Sequence, residues 1–420
     1  MKTGLNFLVA AKRCEIAELR QLALTSALVN VTGRLVHGLQ RERGLSNLYL
    51  GSQGTLFKDM RDEQVALCRQ IESELRACFD SLDTETARGG HGARLFSRIA
   101  YVLHGLDALD GLRERVDTLS WTTRQSTDAY VRLIAGLLAV VFEAADSASD
   151  PEISRLLVAL FNFMQGKEFA GQERAVGSAL FASARADAAE QQRLLHLIES
   201  QERCLQVFTE FANPQAADLW AGCQASAMLA ELERLRRVLC TAIDGAPLNA
   251  QLSEAWFDCC TRRIDRMKSV EDGLALDLLR TCEEKIVAAT TELTTFHALN
   301  PQVTREADAL TFFREASAEI PPAPAASSYG LQLERSILEL VQEQARRLQT
   351  MGEELATAKA SLNERKVIER AKGLLMAHRQ LSEDEAHKTM RQMAMNQNRR
   401  LIEVAEAVLA MADMLPQRRT

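Results

Sequence analysis

Two arginines on a recurring motif are the side chains in this sequence best suited to hold a small anion. Gln40-Arg41-Glu42-Arg43-Gly44-Leu45-Ser46 lies near the end of one long apolar-periodic run, and 131 residues later Gln172-Glu173-Arg174-Ala175-Val176-Gly177-Ser178 repeats its outline. Arg43 and Arg174 occupy equivalent places. A guanidinium offers a rigid planar fork of donors, keeps its proton when desolvated and is weakly hydrated, so it matches a planar oxyanion better than an ammonium does. Gly44 would let two helices approach closely, and Ser46 or Ser178 could add a hydroxyl donor. Arg41 belongs to the same motif, and Arg236 lies in Arg234-Leu235-Arg236-Arg237, the densest basic run of the second half. The ordinary alternative for each arginine is an ion pair with a carboxylate on a solvated helix face.

A second chemistry-bearing stretch runs from Glu364 to Leu415 and reads as three short helices with basic edges. Val367, Ala371 and Leu374, widened by Ile368 and Leu375, form the buried stripe of the first. Leu381-Ser382-Glu383-Asp384-Glu385 supplies a capping box that opens the second, whose apolar side carries Met390 and Met393. Asn396-Gln397-Asn398 ends it, and Leu401, Val404, Ala405 and Val408 trace a third helix that stops before Pro416. Three such stripes can close one small core.

The ordered strings Glu364-Arg365-Lys366-Val367-Ile368-Glu369-Arg370-Ala371-Lys372-Gly373, Ser382-Glu383-Asp384-Glu385-Ala386, Arg391-Gln392-Met393-Ala394-Met395 and Leu401-Ile402-Glu403-Val404-Ala405 resemble an ANTAR domain. Gln380 and His387 depart from the family's usual residues. The resemblance implies binding to nascent RNA, two hairpin loops per dimer, and prevention of transcription termination. Exposed RNA loops are read by stacking and by contacts to base edges, while cations position the phosphates. The side chains of suitable type are Arg365, Lys366, Arg370, Lys372, Arg391, Arg399 and Arg400, with Asn396 and Asn398 as base readers.

The elements that must position these groups are helices. Only 5% of the residues are aromatic, Gly and Pro are scarce, and Leu, Ala, Glu, Arg and Gln dominate, so an all-α chain is expected. From Cys14 to Leu50, residues Leu24, Leu28, Val31, Leu35 and Leu39 keep a helical period. Breaks at Thr84 to Gly92, Ser147 to Pro151, Asn213-Pro214, Gly245 to Pro247 and Asn300-Pro301 cut the first three hundred residues into helical lengths. With the repeated motif, these imply two pseudo-repeated four-helix bundles side by side. Residues 1–315 hold these bundles, and 316–330, with Pro321, Pro322 and Pro324, a linker. Residues 331–415 hold a heptad seam (Leu333, Ile337, Leu340, Gln344, Leu348, Met351, Leu355, Ala358, Leu362) with a stutter at Gln344, a coiled coil that leads into the three-helix unit and could pair two chains.

Leu35-Val36-His37-Gly38-Leu39-Gln40-Arg41-Glu42-Arg43-Gly44-Leu45-Ser46, with Trp256, Arg262, Arg263 and Ile264, resembles a NIT domain. That family's likeness implies a helical sensor of nitrate and nitrite, with Arg43, Arg174, Arg41, Arg236 and Ser46 as the candidate ligands of the anion.

Charge divides the chain in the same place. The formal net charge is −7, yet residues 361–420 carry eleven Lys and Arg against eight Asp and Glu. Only this tail suits a polyanion, and its small excess means that arrangement must supply the affinity. The nine cysteines form no CxxC pair, the seven histidines are scattered, and there is no P-loop, HExxH, GxSxG or dinucleotide fingerprint. Neither an enzyme, a metal site nor a cofactor is expected. No apolar run reaches the ~18 residues of a membrane span, and the run from Leu5 to Ala11 precedes its charges, unlike a signal peptide. With these observations the two resemblances imply a cytoplasmic one-component regulator whose partners are nitrate or nitrite, leader RNA hairpins, a second copy and, indirectly, the transcription complex. A signalling adaptor acting through the coiled coil and a DNA-binding regulator are the other classes that fit.

Overall fold

Helix starts fall where side chains satisfy the backbone donors that a first turn leaves free. Asp150 accepts from the amides of Glu152 and Ile153 at 3.0 Å each and is followed by Pro151, whose missing N–H costs nothing there. Thr122 and Gln125 form a reciprocal capping box, and Asp187 caps with the amide of Glu190. The structure, a computed structural model, describes residues 4–82, 92–224, 227–298, 329–379, 381, 383–397 and 399–413. In order these form α1 (Gly4–Gly51), α2 (Lys58–Asp80), α3 (Gly92–Asp107), α4 (Leu109–Asp117), α5 (Thr123–Ser147), α6 (Pro151–Ala182), α7 (Ala188–Phe211), α8 (Pro214–Gln224), α9 (Ala227–Thr241), α10 (Leu252–Ala298), α11 (Tyr329–Arg379), α12 (Glu383–Gln397) and α13 (Leu401–Asp413). Among the described residues, strand pairing is limited to one bridge, Arg185 with Pro247. The chain is all-α, as its composition implies.

Helix α1 packs against α2, α5 and α10, and α6 against α7, α10, α5 and α11. The 47-residue α10 lies along both, so one apolar cluster runs through α1–α8, α10 and part of α11. A second cluster, including Phe181, Leu194, Leu235 and Trp256, fills the space between the end of α6 and α7, α9 and α10. Helix α6 is buried nearly all round, charged positions included: Lys167, Glu168, Glu173 and Arg174 all lie inside. A helix without a solvated face must find partners for its charges within the protein.

Several expectations need correction. Helix α1 begins ten residues before Cys14, and Leu24 of its expected stripe is 48% exposed. Because α2 and α5 cover one side of α1 and α10 another, its buried surface is wider than a single stripe and includes Leu22 and Val29. The first of the three tail helices is not short: it is the end of α11, 51 residues long, since Asn363-Glu364-Arg365 contains no helix breaker. Of the seam, Ala358 and Leu362 are buried, on the cluster that runs through the sensor, whereas Leu348 is 56% exposed. The linker to residue 328, the break at Thr84 to Gly92 except for its last residue, Gly92, the break at Asn300-Pro301 and the side chains of Leu333, Ile337, Leu340 and Gln344 lie outside the described residues. At the C-terminal end, Ala371, Met390, Ala394, Val404, Ala405 and Val408 close a third, separate core, with Val367, Ile368 and Leu375 packed against it.

The fit of α6 to α10 is tightest where the second motif passes. Trp256 is fully buried and its indole N–H donates to the carbonyl of Arg174 at 3.0 Å, and a methyl on Gly177 would come 2.2 Å from its ring. Gly177→Ala should therefore cost about 1–3 kcal/mol by overpacking, read as a lower urea midpoint in circular dichroism. Gly222→Ala, where nothing lies within 4 Å, should cost nothing.

Candidate functional site

Within each motif the glutamate and the arginine do different work. Glu42 of α1 is fully buried and receives Nε and Nη2 of Arg113 at 2.9 and 3.0 Å, with the Tyr130 hydroxyl donating at 2.7 Å. Glu173 of α6 receives Nε and Nη2 of Arg236 at 2.6 and 2.7 Å, and the amide of Gln201 donates to it. Each glutamate thus ties its motif to its own group of helices through a bidentate, charge-assisted contact. On a helix the next residue points about 100° away, so Arg43 and Arg174 face elsewhere, toward the seam between α1 and α6.

At that seam Arg43 and Arg174 come together. A Cβ on Gly171 would lie 2.7 Å from Nη2 of Arg43, and one on Gly44 would lie 3.1 Å from Nη2 of Arg174, so each guanidinium passes over a glycine beside the other's motif. Arg43 grips the carboxylate of Glu168 with Nη1 at 2.6 Å and Nη2 at 3.3 Å. Gln40 and Gln172 donate to the same carboxylate at 2.8 and 2.9 Å. Arg174 has no such counter-ion among the described residues. It is 8% exposed, donates Nη1 to the hydroxyl of Thr261 at 2.9 Å and lies over the ring of Phe257 at 5.0 Å. Burial, and then the positive charge of Arg43, bring its pKa down to about 10. It stays protonated at neutral pH as a desolvated cation.

The asymmetry has a source in the repeat. At the motif's own spacing of 131 residues, the counterpart of Glu168 is His37. Burial, and then Lys167, push the His37 imidazole down to about 3, so it is neutral and supplies no negative charge to α1. The neighbouring charges are matched among themselves: Lys167 with Glu271 at 2.5 Å, and Lys268 with Glu271 and Asp272 at 3.2 and 2.5 Å. The seam itself holds two guanidiniums and one carboxylate.

The other candidates from the sequence are placed differently. Arg236 is buried rather than solvated, but its Nε, Nη1 and Nη2 go to Glu173 and Glu233. Arg41 is exposed, and Ser46 Oγ meets the Tyr130 hydroxyl at 3.3 Å. Gln40 and Gln172 open the two motif strings, whereas Glu168 and Thr261 were invisible in the sequence, because single polar residues on long helices carry no spacing signal.

The C-terminal unit is docked on the sensor by its basic edge. Arg365 lies over the ring of Phe161 at 4.7 Å and donates to Asn162 at 3.4 Å, Lys366 pairs with Asp146 at 2.6 Å, and Arg391 pairs with Glu199. His387 is buried there: Nη1 of Arg203 donates to its Nε2 at 2.9 Å, and the His196 ring lies 5.0 Å away. Burial, then Arg203 and His196, hold His387 down to about 3. Farther along α11, Arg347 reaches Glu15 and Glu292 at 3.4 and 3.5 Å. Of the remaining set, Arg370, Asn396, Arg399 and Arg400 are exposed, Lys372 is buried and pairs with Glu369 at 2.8 Å, and Asn398 lies outside the described residues.

These contacts separate the roles of the two seam arginines in a way that unfolding can measure. Arg43→Ala strands the Glu168 carboxylate with amide donors alone and should cost about 3–5 kcal/mol in anion-free urea denaturation. Arg174→Met removes a charge that has no carboxylate, and should leave stability equal or higher.

The N-terminal helices match a family model described as nitrate and nitrite sensing, NIT, over residues 34–279, and an ANTAR domain model matches residues 356–409. A nitrate regulatory protein of Klebsiella oxytoca is 36% identical over 406 residues, covering 96% of this chain and 94% of that one. The structure of the NasR transcription antiterminator superposes with a TM-score of 0.60 at 33% identity, over 98% of this chain and 99% of that one. The chain therefore belongs to the NIT family of nitrate and nitrite sensors, in the form that carries a C-terminal ANTAR domain.

Proposed function

We propose that this protein is a one-component transcription antiterminator in which nitrate or nitrite, bound at the seam of α1 and α6, frees the ANTAR unit to bind hairpins in a leader RNA. The observation that carries this reading is the placement of Arg365, Lys366 and Arg391: three of the side chains suited to RNA are engaged by Phe161, Asn162, Asp146 and Glu199 of the sensor. The docked arrangement is thus the closed, RNA-silent form. Helix α6 connects the two ends of the mechanism, because Phe161 and Asn162 meet the ANTAR unit while Glu168 and Arg174, six to thirteen residues on, face the seam. At 1.5 Å per residue that is about 9–20 Å along one rigid element.

An anion between the two guanidiniums supplies the charge Arg174 lacks, and to do so it must part α1 from α6 where Gly44 and Gly171 now let the arginines in close. A shift of α6 then strains its packing with α11. A complete reversal from 1:99 to 99:1 requires the anion to favour the open form by about 5.5 kcal/mol. Once released, α11 would expose Ala358 and Leu362 beside Leu348, giving an apolar seam on which two copies can pair in the cytoplasm. The action on the transcription complex is indirect, through the RNA, and calls for no catalytic group or cofactor. Among the described residues no helix is long and apolar enough to cross a membrane.

The test is a titration of hairpin RNA by the full chain, with and without nitrate and nitrite, beside a duplex DNA of the same sequence. Anion-dependent binding of the hairpin alone is expected. Binding of the duplex alone would favour the DNA-binding class, and binding of neither the adaptor. The double variant Asp146→Asn with Glu199→Gln, which touches only the sensor side of the docking, should bind RNA without nitrate.

The docking should also depend on pH. In the closed form His387 resists protonation down to about 3, whereas a released histidine titrates near 6.5. Docking is thus fully present above pH ~6.5 and is lost as pH falls, by up to tenfold in the equilibrium constant per unit. Nitrate-free RNA binding should rise from pH 7.5 to 5.5 in fluorescence anisotropy, and His387→Gln should flatten that dependence.

A further inference from the structure

Resting on the seam as the anion site, we infer that Glu168 is the residue that restricts this sensor to singly charged anions, by cancelling one of the two arginine charges and leaving room for a single negative charge. The argument is one of charge in a buried place. Arg43, Glu168 and Arg174 are 1%, 2% and 8% exposed, so the charge they hold is felt at low dielectric and cannot be evened out by water. Glu168 is fixed rather than mobile, since four donors from Arg43, Gln40 and Gln172 hold both of its oxygens. The adjacent charges of α6 and α10 are already paired, Lys167 and Lys268 with Glu271 and Asp272, and Glu173 with Arg236. What remains inside is one positive charge, on Arg174, felt from α10 by the carboxylate of Asp265, which is exposed and therefore screened by water. A monoanion brings the seam to neutrality. A tetrahedral dianion of similar donor chemistry, such as sulfate or hydrogen phosphate, would leave one buried negative charge without a partner beside the carboxylate of Glu168.

The repeat shows how this was set. Residue 37 stands at the counterpart of Glu168, and the charged groups that act on it are Lys167, Lys268, Asp272 and Arg41. His37, neutral in its buried place, adds no carboxylate to the seam. One carboxylate against two guanidiniums thus defines a site for one unit of charge, where a second acid against Arg174 would close it and none would admit a dianion.

The experiment is calorimetric titration of the full chain with sodium nitrate and with sodium sulfate at matched ionic strength. The parent should bind nitrate and give no saturable heat with sulfate. Glu168→Gln, which keeps the shape and the hydrogen-bond acceptor, should gain sulfate binding, and its preference for nitrate over sulfate should fall by more than about tenfold. Should that variant not fold, Thr261→Asp decides: it should keep the parent's circular dichroism and lose nitrate binding, because the side chain that Arg174 already meets at 2.9 Å then pairs it internally. Full discrimination against sulfate by folded Glu168→Gln, or nitrate binding by Thr261→Asp equal to the parent's, would overturn the inference. Failure of the underlying site reads differently: nitrate binding by Arg174→Ala as tight as the parent's would place the anion elsewhere.

Discussion

A helix buried nearly all round has to settle its buried charges inside the protein, and α6 settles all of these but one. Lys167 meets Glu271, Glu168 meets Arg43, and Glu173 meets Arg236, yet Arg174, a buried cation, rests on a hydroxyl and an aromatic ring. Leaving a desolvated guanidinium without a carboxylate weakens the fold, because the Coulomb attraction that normally offsets desolvation is missing. A chain selected for stability alone would place an acid beside it or an apolar residue in its stead. On the proposed function the deficit is kept because an anion bound at the seam would supply the missing attraction.

The same helix explains how a small ion can act on a domain some distance away. The α1–α6 seam proposed for the anion and the docking surface of the ANTAR unit are both on α6, with α5 and α7 completing the second. Binding energy at one place can be transmitted only through an element stiff enough to carry a displacement and packed tightly enough to have two arrangements rather than a continuum. Trp256 wedged over Gly177 and hydrogen-bonded to the Arg174 carbonyl makes the seam end of α6 such an element. The docking end is mixed: Ala358 and Leu362 are buried on the sensor's apolar cluster, while Lys366, Arg391 and His387 meet charged or polar groups that water or RNA phosphate could replace. A firm joint at one end and an exchangeable one at the other suit a switch.

Much of this was legible in the sequence where spacing carries information. The tail helices were marked by stripes, by the capping box at Ser382 and by ordered strings long enough to identify their family, and the pairing of Arg43 with Arg174 by a motif written twice. Legibility failed where the physics is non-local. Glu168 and His37 are unremarkable in isolation, and their meaning depends on which residues the packing of α1 on α6 sets opposite them. Arg236 looked like a solvated basic run because sequence shows charge and not burial; the glutamate it holds, Glu173, was in plain sight inside the motif itself. The junction within α11 was read as a boundary between helices because the family motif starts there, although no glycine or proline ends the helix. His387, a departure from the family's usual residue, sits at the contact with Arg203 and His196, a relation no single helix could reveal.

The central claim is that one anion acts at two places: it closes the electrostatic deficit at the α1–α6 seam and it loosens the ANTAR unit from α5–α7. Hydrogen–deuterium exchange on the full chain, with and without nitrate, observes both at once. The account predicts slower exchange around Arg43 and Arg174 on adding nitrate, together with faster exchange in α12 and in the 196–203 face of α7. Protection gained at the seam with no change at the docking surface, or loosening of α12 with no change at the seam, would contradict it.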